Sequence, residues 1–309
     1  MKKIIVPTDF SSAANNAARY ALHLARGTKT SLLLCNAIKV PAEAPMAAQM
    51  AWPLEYYPSV KKEVTRELKN LAEKLVQEEE TETNPQSYHP IVEYSSEVGS
   101  VINLVRNLIG DEERNLVVMG ISGAGGLSRI FGGSHTREMI EKASFGILLI
   151  PSKIQFNGIG KIAFATDLNT ADVQVIYTLA ELARPFNAEI LVVHITDETF
   201  DNEERQHTLN SFLSEITCRA NYPKISYRHI QSIDVEHGLD WLTEHEHIDM
   251  LTMVHRPYDF FDNLFKQSYT QKMARHIHIP LLVLPANTFY ASNKNGNKTA
   301  IIKEARQNA

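Results

Sequence analysis

The chain repeats itself, and nothing else in the sequence restricts its architecture as much. The opening 3-KIIVPTDF-10 returns as 161-KIAFATDL-168, a short apolar run ending in Thr-Asp. A helical pattern follows each copy. Ala14, Ala17, Ala18, Ala21, Leu22 and Ala25 mark one face in the first half; Val173, Ile176, Leu179, Ala180, Leu182 and Ala183 mark it in the second. The next apolar runs, 31-SLLLCNAI-38 and 189-EILVVHIT-196, correspond, as do 146-GILLIP-151 and 280-PLLVLP-285. From Leu116 to Pro151 the second half lies over the first without a gap at an offset of 134. Each half reads as five strands alternating with helices: 3–7, 31–37, 89–94, 116–120 and 146–150, then 161–165, 189–195, 225–230, 250–254 and 280–284. Apolar, β-branched strands in that alternation predict a parallel sheet covered on both faces. The expected fold is α/β, two tandem doubly wound domains of five parallel strands each.

The expected divisions are a first domain over 1–152, a polar join containing two glycines at 152-SKIQFNGIG-160, a second domain over 158–286 and a tail over 287–309. The mostly polar tail reads as an arm, flexible alone or docked through Phe289, Tyr290, Ile301 and Ile302. With 309 residues, each half is long enough to bury its own core. A net charge of −5 argues against a dedicated nucleic-acid binder. No apolar run approaches the roughly 20 residues of a membrane-spanning helix. Pro7 and Asp9 cut short the apolar stretch behind the opening lysines, so a signal peptide is not expected. Cys35 and Cys218 fall in different halves, which leaves no disulfide framework and points to a reducing cytoplasm.

Glycine is crowded into one place. Six of the fourteen glycines fall between Gly120 and Gly133, after the strand that ends 116-LVVMG-120 and before the helical run from Thr136 to Lys142. Ligands of open parallel sheets bind beyond the carboxyl ends of the strands, and both this loop and 7-PTDF-10 leave such ends. A helix N-terminus presents unpaired N–H groups and favours an anion, and glycine lets backbone approach it unobstructed. Gly133, Ser134, His135 and Thr136 would offer successive N–H groups and two hydroxyls, with Arg129 adding a mobile positive charge. The plainer alternative, Ser134 as an ordinary helix cap, is outweighed by the number of glycines. The loop is not a P-loop, because no Gly-Lys-Ser/Thr ends it. It follows the fourth strand, whereas the dinucleotide fingerprint follows the first. A nucleophile elbow at Ser122 would need glycine where Ala124 stands.

Gly120, two residues, Gly123, nine residues, Gly133 and Ser134 resemble the G-x2-G-x9-G-(S/T) motif of nucleotide-binding universal stress proteins. The opening 6-VPTDFS-11 resembles that family's first strand and turn, and the likeness covers both halves, as in a tandem, Rossmann-like member. The resemblance implies ATP as the cofactor, alone or with Mg2+, which Asp9 would assist only indirectly. It places Asp9 and the Pro7-Thr8 backbone by the adenosine, and backbone around Ala37 at the adenine edge. Gly120 and Gly123 would line the ribose and phosphates, and Gly133, Ser134, His135 and Thr136 would hold the phosphates. Asp9 has a second reading, as a cap on the following helix through Ser11 and Ser12; the two roles can coexist.

The second half departs from the motif. Val254, Pro257 and Gln267 stand where Gly120, Gly123 and Gly133 stood, and only Ser268 and Thr270 keep the hydroxyls. Tyr258, Phe260, Phe261 and Phe265 suggest packing or interface anchors, so no ATP is expected there. The pairs His245/His247 and His276/His278 lack the companions of a metal site. The run 78-EEETETNPQ-86 reads as a solvated helix end and loop, and 41–60, with Met46, Met50 and Trp52, as a lid, an inter-half contact or a loop packed on its own domain. The functional expectation is a cytoplasmic ATP-binding stress or regulatory protein using the first domain. Its partners would be an adenine nucleotide and a second copy in a homodimer or a client protein. The alternatives are a nucleotide-independent interaction module and a weak ATPase; no clear general base or metal-binding carboxylate pair accompanies the cradle.

Overall fold

The computed structural model describes residues 1–38, 57–82, 84, 86–110, 115–121, 134–196, 203–256 and 279–286. The first half contains β1 (Lys3–Pro7), α1 (Ser12–Thr28), β2 (Ser31–Ile38), α2 (Tyr57–Glu82), β3 (Val92–Val98), α3 (Val101–Ile109), β4 (Leu116–Ile121), α4 (Ser134–Lys142) and β5 (Gly146–Pro151). The second contains β6 (Lys161–Ala165), α5 (Val173–Ala183), β7 (Glu189–Thr196), α6 (Glu203–Arg219), β8 (Ile225–Gln231), α7 (Val235–His245), β9 (Met250–His255) and β10 (Leu281–Pro285).

The five strands of each half pair in parallel, as expected, but the halves do not keep separate sheets. One ten-stranded sheet runs β3-β2-β1-β4-β5-β10-β9-β6-β7-β8. Its single antiparallel seam sets Leu149, Leu148 and Ile147 of β5 opposite Leu281, Leu282 and Val283 of β10. The repeat survives in the pairing register. Lys3 stands opposite Ser31 and Lys161 opposite Glu189. Leu116 stands opposite Gly146, and Leu251 opposite Leu281.

Alternation along the strands sends successive residues to two helical layers. Ile4 and Val6 join a core with the buried faces of α1, α2, α5 and α6; Ile5 joins the other with α3, α4 and α7. Both cores contain residues of both halves. All the alanines and apolar residues expected on the inner faces of α1 and α5 are buried. Alanine dominates α1, so the helix lies close to the sheet; its start is fixed by Ser11, whose Oγ accepts from the Ala14 N–H at 3.2 Å. The join contributes Phe156, whose ring lies 5.0 Å from Tyr20, 5.7 Å from His23 and 5.9 Å from Phe186 of the second half. A Cβ on Gly27 would sit 2.3 Å from the Phe186 ring, so the ring occupies the space a side chain at residue 27 would take.

Two local expectations need correction. β3 starts at Val92, not at 89, and continues to Val98, because it is an edge strand whose pairing with β2 extends to Ile38–Val98 although its side chains are only half buried. Glu79 is not on a solvated helix end: it is 3% exposed, 2.7 Å from His89 Nδ1 and 3.9 Å from Arg26 Nη1. The Met46–Trp52 stretch, the tail and the aromatics from Tyr258 to Phe265 lie outside the described residues.

Candidate functional site

In the first lobe the strand order reverses at β1, which has β2 on one side and β4 on the other. Such a switch point opens a crevice at the carboxyl ends of the strands. Pro7 and Thr8 at the end of β1, Ala37 in β2 and Gly120 in β4 meet there. Ser134, His135 and Thr136 form the first turn of α4, and Thr136 is buried. Gly123, Arg129 and Gly133 lie outside the described residues.

The turn after β1 is held by its own side chains. Thr8 donates its N–H to the Cys35 carbonyl at 2.8 Å, and its Oγ1 accepts the Phe10 N–H at 2.9 Å. Its carbonyl accepts from Asn36 Nδ2 at 2.8 Å. These contacts hold Phe10 at a φ of 63°, in the left-handed region that few side chains adopt. Asp9 Oδ1 accepts the Ser11 N–H at 3.0 Å, so the residue does take part in capping. Asp9 is nonetheless exposed, at the rim of the crevice.

Gly120 has a packing reason to be glycine. A Cβ there would lie 2.2 Å from the Ala13 carbonyl oxygen and 2.8 Å from the Ala14 nitrogen, both backbone atoms. Its absence lets the first turn of α1 rest directly on β4 and brings that turn to the edge of the crevice.

The second lobe rebuilds the same turn and then sets an ion pair behind it. Thr166 donates its N–H to the Val193 carbonyl at 3.0 Å, its Oγ1 accepts the Leu168 N–H at 2.9 Å, and Leu168 has a φ of 63°. Asp167 Oδ1 accepts the Asn169 N–H at 3.2 Å. Here Val254 replaces Gly120, and a 3-10 turn, Thr170–Asp172, precedes α5. That turn delivers Asp172, the counterpart of Ala14, to a position 1% exposed. Thr166 Oγ1 donates to Asp172 Oδ2 at 2.7 Å, and Arg256 Nη2 donates to Asp172 Oδ1. Arg256 Nη1 also lies 3.4 Å from Asp167 Oδ1. Burial pushes the Asp172 carboxyl up to about 6, against the Thr166 hydroxyl and the Arg256 guanidinium, which favour its charged form. The carboxyl ends of β6 and β9 are thus bridged by an ion pair of the chain's own side chains. Its only sequence signals were an aspartate inside the apolar pattern of a helix start and an arginine directly behind β9.

Among the described residues no group of three or more His, Cys, Asp or Glu side chains is arranged to hold a metal ion. His245 is engaged through Nδ1 with the Trp241 carbonyl at 2.8 Å. No described helix is long and apolar enough to cross a membrane.

The family model described as Universal stress protein family matches residues 1–151 and again 158–285. A universal stress protein of Methanocaldococcus jannaschii is 26% identical over 151 residues, which are 48% of this chain and 81% of that protein. The crystal structure of a universal stress protein from Archaeoglobus fulgidus matches with a TM-score of 0.62 at 12% identity, covering 92% of this chain and 98% of that one. The cytoplasmic domain of a prokaryotic cation chloride cotransporter matches with a TM-score of 0.52 at 12% identity, covering 94% and 99%. At such identities the two structures speak for the fold alone. The two family matches, each over a complete set of five paired strands, place this chain in the universal stress protein family as a tandem member.

Proposed function

We propose that the first lobe binds ATP in the crevice between β1 and β4, and that the protein is a nucleotide-responsive regulatory protein of the cytoplasm. The second lobe then serves structure or interaction. One observation carries this reading: both lobes build the same Thr-Asp turn, but only the second sets a buried carboxylate and an arginine behind it. In the first lobe those positions are Ala14 and Ser122, which bring no charge of their own. Asp9 at the rim, the half-buried backbone of Ala37 and Gly120, and the first turn of α4 fit an adenosine at one end and phosphates at the other. Gly123, Arg129, Gly133, Ser134, His135 and Thr136 complete the phosphate end in this reading. A bound nucleotide supplies negative charge that neutralises the donors of that end. The chain's own residues orient it, with or without Mg2+, and they include no evident base to activate water. The partner on the output side is a client protein or a second copy of the chain.

Calorimetric titration of the full chain with ATP tests the proposal, repeated with Mg2+ replaced by a chelator. One site per chain is expected, abolished by the double change Gly133→Val, Ser134→Val with the unfolding curve unchanged. A wild-type chain that releases no adenine nucleotide on denaturation and shows no heat with ATP, ADP or AMP overturns it.

A further inference from the structure

The exposed apolar surface is unevenly distributed. Of the six large hydrophobic residues exposed among the described residues, Tyr88, Ile91, Tyr94 and Val98 lie on or just before β3, an edge of the sheet. Within the opposite edge, β8, the exposed residues are Arg228 and Gln231, and the exposed apolar side chain nearest to it is Ile233, two residues beyond its end. A charged side chain such as Arg228 blunts an edge strand against further pairing; β3 carries the exposed Glu93 and Glu97, but beside them Tyr94 and Val98 give it the exposed large apolar side chains that β8 lacks within the strand.

The backbone of β3 is oriented for such pairing. The Leu32 N–H donates to the Ile91 carbonyl and the Gly99 N–H to the Ile38 carbonyl, so the odd-numbered residues turn their peptide groups toward β2. The N–H and C=O groups of Val92, Tyr94, Ser96 and Val98 therefore point away from the sheet. The side chains of these four residues share the face covered by α2, where Ser96 Oγ lies 3.3 Å from Thr65 Oγ1.

We infer that β3 pairs antiparallel with β3 of a second copy of this chain, about a two-fold axis at Ser96. In that register Tyr94 faces the partner's Val98 on both sides of the axis, Ser96 faces its own equivalent, and Glu97 faces Ser95. A shift by one residue, centring the axis on Ser95, sets Glu93 against Glu97 and opposes like charges. The covering helix favours the same arrangement. From Tyr57 to Lys69 helix α2 carries four cations against two acids, and from Asn70 to Glu82 one cation against five acids, of which Glu78 meets Arg19 and the buried Glu79 meets Arg26 and His89 within its own lobe. Its first turn has no acid and its last no base, so the charge runs against the helix dipole. A two-fold axis at β3 brings the two α2 helices alongside in opposite directions, each basic half next to an acidic half. The seam between β5 and β10 is closed within the chain, which leaves β3 and β8 as the sheet's edges among the described residues, and of the two only β3 has large apolar side chains exposed within the strand.

Light scattering on the full chain during gel filtration tests this. The wild type is expected at twice the chain mass, and Tyr94→Lys, Val98→Lys at the single mass with an unchanged circular dichroism spectrum. In a Cys218→Ser background, a Tyr94→Cys chain mixed with a Val98→Cys chain is expected to give an oxidised heterodimer in greater yield than either chain alone. A wild type that stays at the single mass throughout the micromolar range overturns the inference and leaves the edge to a different protein. A double mass that survives the two lysines, or cross-linking no better in the mixture than in the separate chains, overturns it as well.

Discussion

Arg256 and Asp172 form an ion pair inside the second lobe at the positions where the first lobe has Ser122 and Ala14. The carboxylate is buried and the guanidinium mostly so, so the pair is less screened than surface contacts are. Removing Arg256 alone leaves Asp172 with Thr166 and no countercharge among the described residues. Breaking a buried pair from one side costs about 3–5 kcal/mol while the remaining group stays charged. Arg256→Met is expected to lower the urea midpoint, and the further change Asp172→Leu to recover most of the loss. Equal midpoints for Arg256→Met and wild type at neutral pH would show that the pair contributes nothing.

The same carboxyl gives stability a pH dependence of defined sign. Its folded value of about 6 lies above the ordinary 3.8, so between those values the folded chain binds a proton that the unfolded chain has released. Stability from this group is full below the lower value and is lost as pH rises through the upper one, about 3 kcal/mol at most. Asp172→Asn removes the titration. The wild type's stability relative to this variant is expected to fall from about pH 4 to about pH 6.5, by urea unfolding at each pH. A relative stability that rises over that interval contradicts the burial-driven shift.

The repeat made most of the fold legible. Strands buried on both faces, such as Ile4–Val6 and Leu32–Leu34, announce themselves as continuous apolar runs, and they fell where the pattern placed them. β3 did not, because an edge strand needs apolar side chains on neither face and its Ser95-Ser96-Glu97 segment reads as loop. The joining of the two sheets was hidden for a different reason. Leu148 and Leu282 look like any core strand, and nothing local tells whether the neighbour of β5 is solvent, another chain or β10. At the candidate site the Thr-Asp turns were visible, whereas the role of Gly120 was not. Sequence ties that glycine to a ligand, but its missing Cβ is also required by the Ala13 backbone.

Gly120→Ala follows from that contact. A Cβ 2.2 Å from a carbonyl oxygen cannot be accommodated by rotating a side chain, so the first turn of α1 must lift from β4. Overpacking of this kind costs about 1–3 kcal/mol. The variant is expected to unfold at lower urea and also to weaken ATP binding, because the turn that carries Asp9 moves with α1. The opposite change in the second lobe, Val254→Gly, relieves no clash and is expected to destabilise through lost packing alone, with ATP binding unaltered.

Asp9→Ala and Asp167→Ala separate the lobes by function. Both residues sit in the same turn, where Asp9 accepts the Ser11 N–H and Asp167 the Asn169 N–H, so losing that bond is expected to cost about 1 kcal/mol of stability or less in either lobe. Among the described residues only Asp9 borders a crevice without a buried ion pair, since Ala14 and Ser122 stand where the second lobe has Asp172 and Arg256. Loss of Asp9 is expected to weaken ATP binding about tenfold, equivalent to about 1.4 kcal/mol, with no change for Asp167→Ala. Calorimetry on the two variants under identical salt decides between this and a reading in which ATP uses the second lobe.

The seam between β5 and β10 predicts how the molecule unfolds. Leu148 and Leu282 face each other across it, at 0% and 2% exposure, and each lobe's innermost strand is completed by the other. With both cores drawing on both halves, neither lobe should melt while the other stays intact. Scanning calorimetry of the full chain is expected to show one transition. Leu282→Ala, a truncation worth about 2–5 kcal/mol at a buried position, should move that transition down without splitting it. The first lobe made alone, ending at Ser152, would leave Ile147, Leu148 and Leu149 on an open strand edge. It is expected to self-associate, and to return to a one-to-one complex when the second lobe is added. Two resolved transitions in the full chain, or a first lobe that is monomeric and fully stable by itself, would mean that the seam holds the lobes together without coupling their stability.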